Sequence, residues 1–274
     1  MKHHDNIIGT QSYPIQKINQ GAANFFSDTL AMEQPLLIKL KTPDQKIEVL
    51  VITMQTPTDQ KALVTGFLYT DGVIDHIEDI MHINLNEDEA LVTLSKLPAT
   101  LQARNTVSTA ACGMCGKTSL DAIKLVREFD MLDRKQQISV QNLLGLNAQL
   151  RAKQDLFDAT GGIHAAALFD LNGQILVVQE DIGRHNAVDK SIGSMLINGL
   201  SNEGLGLFVS GRAGFELVQK CLVSGISLMV AVGAPSSLAV DYAKKYGLTL
   251  VGFMQKDRFN IYTHPHRIIE LKNS

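Results

Sequence analysis

The sequence predicts an α/β protein in which a mainly parallel sheet with helices on its faces follows a smaller N-terminal α+β lobe. Three observations carry this. Beyond residue 160, short apolar runs such as "GLGLFVS" and "SLMVAV" alternate with helical patterns, as strands buried on both faces of a parallel sheet do. Glycine-bearing turns follow those runs, at the carboxyl ends of strands, where open α/β sheets bind ligands. Between 28 and 100 the apolar residues fall instead into paired runs around one helix. With 274 residues the chain can bury a sizeable core, as one large unit or two modest ones.

The elements follow in order. Residues 1–27 show no periodicity and are expected to form a loose arm. Residues 28–105 are expected to form the small lobe. There "LLIKLKTPDQKIEVLVITM" reads as two strands around a TPDQ turn. "TPTDQKALVTGFLYTDG" reads as a helix with Thr56 as N-cap, Pro57 at its first position and Gly72 at its end. "MHINLNEDEALVTLS" reads as a second hairpin, turning near Asn86 to Asp88. Residues 106–136 hold a cysteine loop and then a helix over "TSLDAIKLVREFDML", with Leu120, Ile123 and Phe129 on its apolar face. Residues 137–274 are expected to form the larger α/β unit. In it "VQNLLGLNAQLRAKQDLFDAT" reads as one helix and "HAAALFDLNGQILVVQED" as a hairpin. "NAVDKSIGSMLINGL" reads as a helix capped by Asn186. Strands at "GLGLFVS", "SLMVAV" and "LTLVGF" then alternate with helices near 214–223 and 236–246.

Composition excludes several classes. A net charge of −3 leaves no global field for nucleic acid or an anionic membrane, so an anionic ligand must be held by a local positive cluster. Trp is absent and aromatics reach only 5%, against a base-stacking platform. The uncharged run 221–240 is broken by Gly225, Gly233, Pro235 and four serines, and reads as a helix end, a buried strand and a helix start rather than a membrane span. No apolar stretch near the N-terminus is long enough for a signal peptide, so a reducing cytoplasm is expected.

Two of the three cysteines stand in "ACGMCGK", as Cys112 and Cys115. Four readings stay open for this pair. Zinc needs four ligands, and no second pair follows. A thioredoxin-like dithiol would open a helix directly after a strand. A structural role is the third. The fourth is a sulfur-carrying thiolate, which requires a lowered pKa and access. The helix start at 119–121 and Lys117 supply positive potential, while Gly113 and Gly116 free the backbone. Cys221, alone on an apolar helix, reads as a core residue.

Four further segments carry residues suited to an anion. "DIGRHNAVDK" places Arg184 and His185 before a helix N-terminus, with Asp181 as the partner of Arg184 in the plainer reading. "VSGRAGFELVQK" sets Ser210, Gly211 and Arg212 between a strand and a helix. Glu216 and Lys220, at i and i+4, read there as a surface pair. "ATGGIHAAAL" puts Gly161 and Gly162 before His164. "GFMQKDRFNIYTHPHRI" follows the last strand and adds Lys256 and Arg258. Such turns suit a polyanionic ligand such as a nucleotide.

In this order the segments "MEQPLLIKL", "MQTPTDQKALVTGFLYTDGVI", "ACGMCGK", "TGGIHAAAL", "DIGRHNAVDK", "SGRAGFELVQK", "VGAPSSLAVDYAKKYGLTLVGF" and "FNIYTHPHRI" resemble the formate dehydrogenase accessory sulfurtransferases, the FdhD family. The resemblance covers nearly the whole chain from about residue 28. It implies a cytidine-deaminase-like core with an added lobe, working as a homodimer in the cytoplasm. It implies a sulfur carrier that accepts sulfane sulfur from a cysteine desulfurase as a persulfide on Cys112, with Cys115 assisting. The sulfur passes to the molybdenum of bis(molybdopterin guanine dinucleotide), a bound substrate, before that cofactor enters formate dehydrogenase. By the same resemblance the dinucleotides contact Phe253, Met254, Gln255, Lys256, Asp257 and Arg258. The turns holding Gly161, Gly162, His164, Arg184, His185, Ser210, Gly211 and Arg212 are further candidates. No tightly held metal is implied, since the deaminase Glu with Cys-x-x-Cys signature is missing. A cofactor-binding chaperone that does no sulfur chemistry is the alternative.

Overall fold

The computed structural model describes residues 7–98, 108–110, 131–132 and 134–270. Cys112, Cys115 and the helix expected after them lie outside the described residues, but for Met131 and Leu132.

In place of a loose N-terminal arm, β1 (Thr10–Asn19) and β2 (Ala22–Ala31) form an antiparallel hairpin. Gln20 (φ 49°) and Gly21 (φ 84°) are both left-handed, as in the two-residue turn whose twist suits a hairpin. All of β1 but Thr10 and Ile15, and all of β2 but Thr29 and Ala31, are exposed. With neither face buried, nothing imposes the alternation that would reveal the strands.

β3 (Gln34–Lys41) and β4 (Ile47–Gln55) pair antiparallel around the expected turn. Leu36, Ile38 and Leu40 alternate inward from β3 and are fully buried. α1 runs from Gln60 to Thr70 and ends before Gly72 (φ 72°) as predicted, but it begins four residues beyond Thr56. Asp59 is its N-cap. Thr56 is drawn elsewhere: its N–H donates to Asp181 Oδ2 at 3.1 Å, and its hydroxyl accepts from the Ile182 N–H at 3.1 Å. β5 (Ile80–Leu85) and β6 (Glu89–Leu94) form the second predicted hairpin. β7 (Ser108–Ala110) completes a five-stranded sheet in the order β5-β6-β3-β4-β7, with β7 parallel to β4.

β8 (Ile138–Ser139) leads into α2 (Val140–Arg151), which Ser139 caps by accepting from the Asn142 N–H. The single helix expected to residue 160 is broken: Gln154 is buried in a non-helical conformation, and α3 (Asp155–Thr160) starts anew. β9 (His164–Asp170) and β10 (Ile175–Asp181) form the predicted hairpin. α4 (Arg184–Ile197) follows, with Gly183 rather than Asn186 as N-cap. Then come β11 (Leu205–Val209), α5 (Phe215–Val223), β12 (Leu228–Ala231), α6 (Ser237–Lys245), β13 (Thr249–Gly252) and β14 (Asn260–Ile261). β15 (Ile268–Ile269) closes on β8. Run 221–240 thus resolves into helix end, strand and helix start, and no described helix is long and apolar enough to cross a membrane.

The larger sheet has the order β10-β9-β11-β12-β13-β14. It is mixed rather than mainly parallel. Only β11–β12 and β12–β13 are parallel, because the tight β9–β10 hairpin inserts beside β11 in the opposite sense and a short return brings β14 back along β13. α1 and α4 cross between the two sheets at a distance only glycine allows. A Cβ on Gly66 would lie 1.8 Å from the Asp189 carbonyl oxygen, and one on Gly193 1.9 Å from that of Ala62. One apolar cluster therefore runs from Leu36 and Val64 through Val188 to Leu207 and Leu250.

Candidate functional site

One edge of the larger sheet gathers the segments singled out by sequence. β11, β12 and β13 end there, β10 ends there, and β9 begins there, since it runs against β11. Asp181 to Arg184, His164, Ser210 to Arg212, and Phe253 to Arg258 consequently line up along it. α4 and α5 begin on the same side, with amides aimed outward.

Where this edge meets β4 and α1 there is a cavity of about 270 Å³. Thr53 and Met54 of β4, Phe67 of α1, and His164, Arg184, His185, Asp189 and Lys220 form much of its wall. A buried polar frame holds that wall. Lys190 Nζ lies 2.7 Å from Asp181 Oδ2, both side chains fully buried. Lys190 also donates to the Thr56 carbonyl at 2.9 Å and to Thr58 Oγ1 at 3.0 Å. Burial pushes the Lys190 pKa down, against the pull of Asp181. Asp181 Oδ1 accepts from the Gly183 N–H at 2.8 Å and from Asn186 Nδ2 at 3.0 Å. Asn186 Nδ2 donates in turn to the Met54 carbonyl at 2.7 Å. These bonds tie β4 and the loop after it to the first turn of α4, and so fix where Arg184 and His185 stand.

Two further pairs set the charge of the wall. His185 Nε2 lies 2.5 Å from Glu216 Oε2 and holds that carboxyl below its ordinary range, with burial opposing. Lys220 Nζ donates to both Asp189 oxygens, at 2.8 and 2.9 Å, and to Thr70 Oγ1 at 2.8 Å. Glu216 and Lys220 are therefore not a surface pair. Each reaches from α5 to a different residue of α4. Asp181, likewise, pairs with Lys190 and not with Arg184. His164 is half-buried. Burial first, then Arg184 and His185, push its pKa down, so near neutral pH it presents an uncharged ring.

The candidates fall into two groups. His164, Arg184 and His185 line the cavity, and Gly211 stands beside them. A Cβ there would lie 3.6 Å from His164 Nδ1 and 3.9 Å from Arg184 Cδ. Ser210 Oγ accepts from the Ala165 N–H at 2.9 Å, binding the end of β11 to β9, and Arg212 is exposed on the same turn. Gly161 (φ 67°) ends α3, and Gly162 carries the chain towards His164; neither lines the cavity. Phe253 to Arg258 fold as their own turn past β13. There Gln255 N–H donates to the Arg258 carbonyl, and Arg258 Nε returns a bond to Gln255 Oε1 at 2.7 Å. Phe253 is held at φ 53° and is exposed, while Met254 is buried. This second group shares the sheet edge but not the cavity.

Sequence reading missed Asp189, Lys190 and Phe67. A usable signal was present: Asp189 and Lys190 interrupt the apolar pattern of α4, and charged residues in such a helix are buried only when paired. Cys221 is a core residue as predicted, fully buried, with its thiol pushed far up by burial.

A family model described as the FdhD/NarQ family matches residues 31–269. The sulfur carrier protein FdhD of Picrophilus torridus is 41% identical over 247 residues, covering 89% of this chain and 94% of its own. That of Nocardia farcinica is 43% identical over 251 residues, covering 88% of each. A crystal structure described as that of a formate dehydrogenase accessory protein from Desulfotalea psychrophila matches with a TM-score of 0.75 at 26% identity. It covers 95% of this chain and 99% of the other.

Proposed function

The chain belongs to the FdhD/NarQ family, and from that premise we propose that it is a sulfur carrier whose loaded residue is Cys112. Cys112 thiolate attacks the outer sulfur of a cysteine desulfurase persulfide. The donor's S–S bond breaks, the donor leaves as a thiolate, and Cys112 becomes the persulfide. Cys115, three residues on, resolves any mixed disulfide. The acceptor substrate is the molybdenum of bis(molybdopterin guanine dinucleotide), bound before its transfer to formate dehydrogenase in the cytoplasm. The larger sheet serves as a cytidine-deaminase-like core.

The observation that supports this reading is the register of β7. Its last residue, Ala110, pairs with Thr53, a residue of the cavity wall. Cys112 follows two residues later in the sequence, and two residues of extended chain span roughly 7 Å at most. The cavity offers what an anionic sulfur needs: the guanidinium of Arg184, the ring of His185, and apolar wall from Phe67 and Met54. The outer edge suits the dinucleotide phosphates, through the α4 and α5 amides and the side chains of Arg212, Lys256 and Arg258.

Incubation with a cysteine desulfurase and cysteine, followed by intact mass measurement, tests the proposal. One added sulfur, about 32 Da, is expected on the wild type and lost in Cys112→Ala. A wild type that never gains sulfur removes the carrier role. A Cys112→Ser protein that still fully activates formate dehydrogenase points instead to the chaperone.

A further inference from the structure

His185 stands in the cavity wall with one ring nitrogen engaged. Its Nε2 lies 2.5 Å from Glu216 Oε2, and both side chains are largely buried. An ionised carboxylate accepts and has no hydrogen to give, so the hydrogen in that bond belongs to Nε2. In the neutral ring Nδ1 then carries the open lone pair. The other groups around the ring suit a base less well. Lys220 of α5 and Asp189 of α4 bind each other at 2.8 Å. Arg184 brings a guanidinium, which holds no lone pair for a proton. Glu33, just ahead of β3, brings a carboxylate, and an ordinary carboxylate is too weak a base for a thiol. His164 of β9 has no carboxylate behind it, and burial, Arg184 and His185 all disfavour its charged form.

We propose that His185 is the proton acceptor for a thiol presented to this cavity, and that Glu216 is the residue that positions it. The inference rests on the sulfur-carrier reading. In the step, the S–H bond breaks, its electron pair stays on sulfur, and the proton goes to Nδ1. Glu216 takes no proton. It fixes the ring and stabilises the imidazolium, as the buried carboxylate of a hydrolase triad does. The thiolate is left beside the imidazolium and Arg184. Once it has attacked the donor's persulfide, the proton on Nδ1 passes to water. The transfer itself needs no outside oxidant or reductant.

The pH profile of iodoacetamide alkylation at Cys112, located by tandem mass spectrometry, tests the pair without any sulfur donor. At pH 7 the rate should fall about tenfold in His185→Gln, and in the same direction but less in the isosteric Glu216→Gln. By pH 10 an ordinary thiol, with a pKa of about 8.5, ionises unaided, and all three rates should converge. Glu203→Gln, exposed ahead of β11, should follow the wild type throughout. Rates that coincide at pH 7 overturn the proposal. So does a deficit that persists at pH 10, because it reports access to the thiol and not proton transfer. A wild type that shows the expected profile but gains no sulfur from a desulfurase keeps the proton acceptor and removes the carrier role.

Discussion

Glu216 illustrates how single residues set the charge of the cavity wall. His185 holds its carboxyl below the ordinary value of 4.5. A carboxylate depressed in the folded state contributes stability that is complete above its unfolded pKa and lost as pH falls through the lower, folded one. Urea midpoints measured from pH 6 down to pH 3 should therefore drop faster for the wild type than for Glu216→Gln, with the divergence opening below about pH 4.5; parallel curves would show that the pair carries no weight. Lys190 is a sterner case, since its charge and that of Asp181 are both fully buried. Lys190→Met leaves Asp181 uncompensated and should cost about 3–5 kcal/mol. The lower end is expected, because Asp181 keeps the Thr56, Gly183 and Asn186 donors. Adding Asp181→Asn should recover part of the loss in equilibrium unfolding. Cys221 lies at the inert extreme: a small alkylating agent should leave it unmodified until the protein is unfolded, so peptide mapping of labelled native protein should find adducts only at the other two cysteines.

At the scale of elements, the α1–α4 crossing is the most sharply tested feature. Gly66 and Gly193 meet backbone oxygens of the opposite helix, which cannot turn aside as a side chain can. Gly66→Ala should destabilise by about 1–3 kcal/mol or more. Under the proposed function it should also slow sulfur loading, because Phe67, the residue after Gly66, and Asp189, whose carbonyl Gly66 meets, belong to the cavity wall. A variant with unchanged melting temperature would mean that the helices separate freely. The elements legible in sequence are those with a buried face. β3 and β6 alternate, while β11, β12 and β13 are buried throughout, and apolar but for Thr249, because both sides are covered. The β1–β2 hairpin was hidden because burial leaves no mark on it. Thr56 and Asn186 misled for a different reason: side chains able to cap a helix can equally bind elsewhere, and here the Thr56 hydroxyl accepts from the Ile182 N–H while the Asn186 amide donates to Asp181 and to the Met54 carbonyl. The break at Gln154 is announced by neither Gly nor Pro. In the site, the glycine turns singled out in the sequence bring His164, Arg184 and His185 to one cavity, with Gly211 beside them. The i, i+4 spacing of Glu216 and Lys220 could not show that α4 lies opposite both.

The whole molecule behaves as one unit if its core is continuous. Leu36, Ile38 and Leu40 of the smaller sheet and Leu207, Met229 and Leu250 of the larger one belong to a single apolar cluster, with α1 and α4 between them. Detaching the smaller sheet would expose both sides of that crossing and break every bond that Lys190 and Asp181 make to Thr56. Melting one sheet alone would therefore wet the face of the other that this cluster covers. Calorimetry should accordingly give one transition whose van't Hoff and calorimetric enthalpies agree. The measurement is made at two protein concentrations, since self-association would add a concentration dependence of its own. Two resolved transitions, or tertiary signals from the two sheets that melt at different temperatures, would show separable halves. The cavity at their junction would then be a cleft between moving bodies. A single transition makes the cavity a preformed feature of one cooperative core; under the proposed function a sulfur anion would then enter it without a domain closure on each cycle.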